Sequence, residues 1–341
     1  MLLAHPGPLR RRRLPQVTGG TRLLRPLRRT AAAQRPVDLR GGTRLTSTPG
    51  DRPAWFFGVW QPETVTDPAT GEQHPFADAP MELLRTQPSC RQLDPDADCH
   101  GFPGLDPGYC LLDPVKVTLT CPGVSATGGR QEQPAVPARV LTVYLAGRNI
   151  MVEKTDGHSA LILFSMGIAK GKWGTLLDAL MDFKALYDQD APLERVLPGL
   201  PARHPQRYTG LTLRALCQEM HQQLRRTNLV TLLDTAFREL PEAVTTPRWC
   251  YQRLIREGTE RVRIADAAGR VAAAMGTVTP PGIPVLMPGE TTGAADGPLL
   301  RYLGALEAFD RAFPGFGSET HGVTVDPATG DYRIECVRVD S

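Results

Sequence analysis

No apolar run in these 341 residues approaches the roughly 18 to 20 residues that carry a helix across a bilayer. The longest, Ser159-Ala-Leu-Ile-Leu-Phe-Ser-Met-Gly-Ile168, reads as a buried strand or helix segment. No Cys-x-x-Cys occurs. The seven cysteines (Cys90, Cys99, Cys110, Cys121, Cys217, Cys250 and Cys336) lack zinc-finger spacing, so no metal is expected and reduced thiols in a cytoplasmic protein are. The chain has no Gly-x-x-x-x-Gly-Lys-Ser/Thr loop and no Gly-x-Gly-x-x-Gly between a strand and a helix. It also lacks a Gly-x-Ser-x-Gly elbow and a His-Glu-x-x-His pair, which leaves NTPase and hydrolase readings without support. Lysine is scarce: five in all, none before Lys116.

What is present is ordinary for a globular chain: 41% hydrophobic and 22% charged residues, at a length that fits two domains. The net charge of +3 hides an asymmetry. Residues 1–50 hold eleven Arg, no Lys and one acid, Asp38, which gives +10 there and −7 over the rest. Three readings fit residues 1–53: a disordered or mis-started leader, an Arg-rich targeting segment, or a basic arm for nucleic acid or a membrane surface. None of them calls for a packed core. The first is preferred, and neither nucleic acid nor a membrane is expected as a partner.

Past the leader, periodicity predicts a mixed α/β chain. Trp55–Trp60 and Val115–Thr120 alternate as strands, and residues 62–108 read as mostly loop with a short helix over Met81–Arg85. A helix is predicted over Pro137–Leu145, then strands at Met151–Glu153 and Ala160–Phe164, then a helix over Lys172–Tyr187. Further helices are expected at Thr212–Arg225, Leu229–Arg238, Thr246–Glu257 and Leu299–Phe313, with Thr212 and Thr246 as caps. Arg261–Ile264 reads as a short strand, Thr279–Gly289 as a rigid strand and turn, and Val323–Val325 with Tyr332–Val339 as a terminal hairpin.

Seven phrases, in order, carry a resemblance. They are Trp55-Phe-Phe-Gly-Val-Trp-Gln-Pro62, His100-Gly-Phe102, Leu112-Asp-Pro-Val-Lys-Val-Thr118, Val152-Glu-Lys-Thr155, Leu163-Phe-Ser-Met-Gly-Ile-Ala-Lys-Gly-Lys-Trp-Gly174, Pro280-Pro-Gly-Ile-Pro-Val-Leu-Met-Pro-Gly-Glu290, and Phe313-Pro-Gly-Phe316 with His321-Gly322. Together they resemble the bacterial ornithine/lysine/arginine decarboxylases over residues 54–340. The resemblance implies a fold-type-I pyridoxal-phosphate enzyme. Residues 54–190 would be a small aminotransferase-like α/β subdomain, and 191–341 a mixed helical and β C-terminal domain. It implies a carboxy-lyase that turns arginine, lysine or ornithine into the matching amine, using the cofactor as electron sink.

The chain departs from that pattern where the cofactor should attach. The family's Ser-x-His-Lys phrase belongs upstream of Trp55, yet Lys116, Lys154, Lys170, Lys172 and Lys184 are the only lysines and none follows His. The Asp-Glu-Ala phrase for the ring nitrogen is missing too. The expectation is a C-terminal part of a decarboxylase, without catalytic or cofactor-binding residues of its own and inactive alone, from a truncated or frameshifted gene or a fragment of a longer one. Its partners would be a basic amino acid and either a second copy or a separate chain with the cofactor domain. The alternative is a non-catalytic oligomerisation or interaction protein derived from the family.

Glu153 is the one site residue the resemblance carries over, as a carboxylate that reaches a neighbouring subunit's pocket and pairs with the substrate's distal amine. The other reading is a solvated Glu beside Lys154. His158 is expected to be a surface turn residue, His100 and His321 packing or hydrogen-bonding residues, and 280–289 scaffold. Which basic amino acid is used stays open, with a slight lean to arginine from the insertion around Val65–Gly71.

Overall fold

A computed structural model describes residues 56–339, apart from residues 63, 77, 94–105, 107, 109, 114, 124–133, 166 and 280–281. The Arg-rich leader, Trp55, Cys99, His100 and the pair Pro280-Pro281 lie outside the described residues.

In chain order the described elements begin with β1 (Gly58–Val59), β2 (Thr64–Thr66), β3 (Gln73–Pro75), α1 (Met81–Thr86), β4 (Gln92–Leu93), β5 (Cys110–Leu111) and β6 (Lys116–Thr120). Then come α2 (Ala138–Ala146), β7 (Lys154–Thr155), β8 (Ser159–Leu163) and α3 (Lys170–Asp188). Short helical turns α4 (Leu193–Val196), α5 (Gly199–Arg203) and α6 (Pro205–Tyr208) lead into α7 (Leu213–Thr227), α8 (Leu229–Arg238) and α9 (Pro247–Ile255). The chain closes with β9 (Thr259–Arg263), β10 (Gly276–Thr279), β11 (Ile283–Leu286), α10 (Pro298–Ala312), β12 (Glu319–His321), β13 (Val323–Val325) and β14 (Tyr332–Val337).

The described residues fall into two compact units. The first holds residues up to 119 together with 161–180. Here β6 alternates buried and half-buried side chains, as a strand with one covered face must, and it lies between β1 and the end of β8. The stretch expected to be mostly loop has a core of its own. β2 and β3 form an antiparallel hairpin with Val65 opposite His74, and Val65, Phe76, Leu83, Leu84 and Cys90 pack together beneath it. These strands have three residues each, too short for alternation to register in the sequence.

The second unit takes residues 120–160, within the described limits, and 181–339. Helix α2 follows Pro137, and its Val140, Leu141, Tyr144 and Leu145 are sealed from solvent. Thr212 caps α7 by accepting from the Ala215 N–H at 3.3 Å. Asn228, in the left-handed region at φ 46°, ends α7 and lets α8 start at once. Helices α8 and α10 pack on one another over a core that takes in Leu299, Leu303, Leu306, Tyr332 and Ile334. Beside it, β13, β14 and β9 form one antiparallel sheet, and β11, β10 and β12 another. The terminal hairpin is the one read from the sequence, and β9 is its third strand. The strand expected at Met151–Glu153 starts three residues later, as β7, where Asp156 N–H closes the turn onto Ser159 O at 2.8 Å.

Candidate functional site

The second unit contains a half-open cavity of about 210 Å3. Its wall comes from Arg139, Thr142 and Val143 of α2, from Val152–Thr155 at β7, from Thr279 of β10, and from Gly315–Gly317 with Glu319. Glu153 stands exposed at the rim, with half-buried Lys154 next to it. The sequence-derived site residue therefore lines a cavity.

The wall is fixed by a partly buried polar cluster. Arg139 donates to Phe316 O at 2.7 Å and to Ser318 Oγ at 3.0 Å, and its guanidinium lies 5.1 Å from the Phe309 ring centre. Asp310 sits 4.0 Å from it, and its carboxylate accepts from the Ser318 N–H at 3.0 Å and from the Tyr332 hydroxyl. Burial lowers the Arg139 pKa, and the Asp310 charge opposes that shift. A further clamp holds the same loop: Tyr208 donates its hydroxyl proton to Pro314 O at 2.8 Å, and Arg207 donates to Ala312 O at 2.9 Å. At Gly315 the backbone adopts φ +93°, and a Cβ there would come within 2.5 Å of Leu200 Cδ2. The Phe313-Pro-Gly-Phe316 phrase thus acts as a rigid wall.

Arg139 and Asp310 were not singled out from the sequence. Their signal is faint: each is a charge set inside an otherwise apolar helical stripe, between Ala138 and Val140 in one case and next to Phe309 in the other. Their partnership spans 171 positions of chain and has no local trace. His321 is exposed, with Nε2 3.3 Å from Glu319 Oε1, so of the expected packing or hydrogen-bonding roles it takes the polar one.

His158 needs correcting. It is half-buried, and its Nε2 lies 3.0 Å from Nδ1 of His221, which is fully buried on α7. The turn carrying it folds against α2, with Ala138 N–H bonded to Gly157 O at 2.9 Å, and turns inward. Gly123, at φ +122°, makes room, since a Cβ there would be 2.7 Å from the His158 ring. Desolvation and the neighbouring His221 push the His158 pKa down to about 4, and burial lowers that of His221 as well. Cys121 and Cys217 are buried thiols in this unit. Burial pushes Cys121 up to about 12 and raises Cys217 too, so both are inert. No group of three or more His, Cys, Asp or Glu among the described residues could hold a metal ion. No helix among them is long and apolar enough to cross a membrane.

The described residues do not fit the pyridoxal phosphate that the resemblance implies. Lys116 and Lys172 are exposed, and Lys184 is buried and paired with Asp188 on its own helix. Lys154 does line the cavity, but the carboxylates with it are Glu153 and Glu319, with no Asp for a ring nitrogen. Arg139, the one guanidinium in the wall, already donates to Phe316 and Ser318.

Two sequence models of one family match this chain: "Orn/Lys/Arg decarboxylase, major domain" over residues 32–172, and "Orn/Lys/Arg decarboxylase, C-terminal domain" over residues 230–338. Lysine decarboxylase LdcA of Pseudomonas aeruginosa is 41% identical across 84% of this chain and 36% of its own length. The biodegradative arginine decarboxylase of Escherichia coli is 38% identical across 84% of this chain and 37% of its own length. The solved constitutive lysine decarboxylase of Escherichia coli superimposes with a TM-score of 0.75 at 30% identity, over 95% of this chain and 40% of that one. The chain thus spans a little over a third of the length of the curated relatives it matches.

Proposed function

The chain belongs to the Orn/Lys/Arg decarboxylase family, and from that membership we propose that it borders and completes the active site of a basic amino acid decarboxylase. Glu153 is the group that meets the substrate's distal cation. In this reading residues 54–190 are the small subdomain and 191–341 the C-terminal domain, and the cofactor is held by residues other than these five lysines. The supporting observation is the position of Glu153: an exposed carboxylate in the lining of a cavity whose Phe316 segment is tied down by Arg139. A carboxylate answers an ammonium or a guanidinium by charge-assisted hydrogen bonds. An ammonium wants a compact partner and a guanidinium a planar bidentate one, and a single rim carboxylate serves both. The substrate is accordingly named by class, as arginine, lysine or ornithine, with carbon dioxide and the amine as products.

Complementation tests the proposal. The chain alone is expected to release no carbon dioxide from any of the three amino acids. Mixed with a separately expressed cofactor-bearing segment of a lysine or arginine decarboxylase, it should restore activity. Glu153→Gln should then lower kcat/KM by about 10- to 100-fold, as loss of one charge-assisted hydrogen bond does. Activity restored equally by Glu153→Gln would remove that residue from the site.

A further inference from the structure

Backbone anchors on either side fix Glu153. Before it, the Ile150 N–H bonds to Leu145 O near the end of α2, at 3.0 Å. After it, β7 runs into the turn 156–159, which is pinned from three directions. Ala138 N–H bonds to Gly157 O at 2.9 Å, Cys121 N–H bonds to His158 O at 2.8 Å, and the His158 ring meets His221 on α7. None of residues 151–155 is buried, so these anchors rather than packing set where Glu153 stands. Of the three pins, the ring contact is the one that a proton can undo. Two neutral imidazoles make it with one N–H and one lone pair. One added proton puts a full charge on the pair, and a second sets N–H against N–H.

The surroundings are built for the neutral form. His221 is fully buried, and its Nε2 has no hydrogen-bond partner among the described residues. On α7 it stands between Cys217, a buried thiol that stays neutral, and Arg225, whose charge opposes protonation. The segment before α2 presents Cys121, also a neutral thiol. On the turn itself, the Asp156 charge acts on Arg139 and Tyr302, and Lys154 lines the cavity. No described carboxylate pairs with either ring, so an imidazolium here has no counter-ion. We propose that the His158–His221 contact is a catch that positions Glu153: it closes on two neutral imidazoles and opens as protons are taken up. His158 and His221 are then positioning residues, and the proposal rests on the role given to Glu153 above.

Hydrogen–deuterium exchange of the 341-residue chain, corrected for the intrinsic rate at each pH, tests the catch. The open turn titrates near the ordinary 6.5 and the closed one at about 4, so opening should become about 100-fold easier from pH 7 to pH 4. Peptides covering 150–160 should show that rise while peptides from α10 keep their protection. His158→Gln places an amide where Nε2 stands; it bonds without titrating and should lose most of the rise. His158→Ala should exchange about 10-fold faster in this segment already at pH 7, as loss of one hydrogen bond does. Exchange over 150–160 that ignores pH, a rise shared equally by α10, or a full rise retained in His158→Gln would each overturn the proposal. These readouts follow the segment itself, whereas complementation with Glu153→Gln judges the role of the carboxylate, so the two readings fail separately.

Discussion

Arg139 and Asp310 together hold the cavity wall, and the cost of parting them follows from their burial. Both side chains are about one-sixth exposed, at 17% and 16%. Arg139→Met removes the donor to Phe316 and Ser318 and leaves Asp310 without its cation. It should destabilise the fold by about 3 kcal/mol, read as a lowered denaturant midpoint. Glu153→Gln, on the exposed rim, should move the same midpoint by less than about 0.5 kcal/mol. That contrast separates wall from site. His158 makes a pH prediction. Its pKa falls from 6.5 to about 4 on folding, so unfolding takes up a proton between those values. The stability this contributes is complete above pH 6.5 and is lost as pH falls toward 4, with a slope of up to about 1.4 kcal/mol per pH unit. The lowered His221 pKa acts with the same sign. Denaturant titrations at stepped pH should show the slope, and His158→Asn should flatten it. Glu153 was legible only through resemblance to known motifs, since nothing in its spacing separates a rim carboxylate from a solvated one. The inward turn of His158 was not legible, because its partner His221 lies 63 positions away on another element.

The elements divide by length. Helices α7, α8, α9 and α10 carry an apolar period over nine or more residues each, and Thr212 and Thr246 mark two of their starts, so the sequence places them within two residues. Thr212→Ala should cost about 1 kcal/mol by leaving the Ala215 N–H without its acceptor. A thermal melt of the variant checks this. The turns α4 to α6 and the strands β2, β3 and β12 run three to five residues, too few for either period to appear. They exist because longer elements pack over them. Leu193 and Leu200, for instance, are almost fully buried although their helices have only four and five residues.

At the scale of the molecule, the proposal that residues other than these lysines hold the imine-forming cofactor rests on where the described lysines stand. Lys184 is buried in an ion pair, and Lys116 and Lys172 stand on the surface. Lys154 shares its cavity with two glutamates. The most direct measurement is to mix the purified 341-residue chain with pyridoxal phosphate, reduce with borohydride, and map modified lysines by peptide mass. The account predicts no visible Schiff-base band and no stoichiometric label on any of the five. A yellow protein with one label fixed at a single lysine, Lys154 above all, would contradict it.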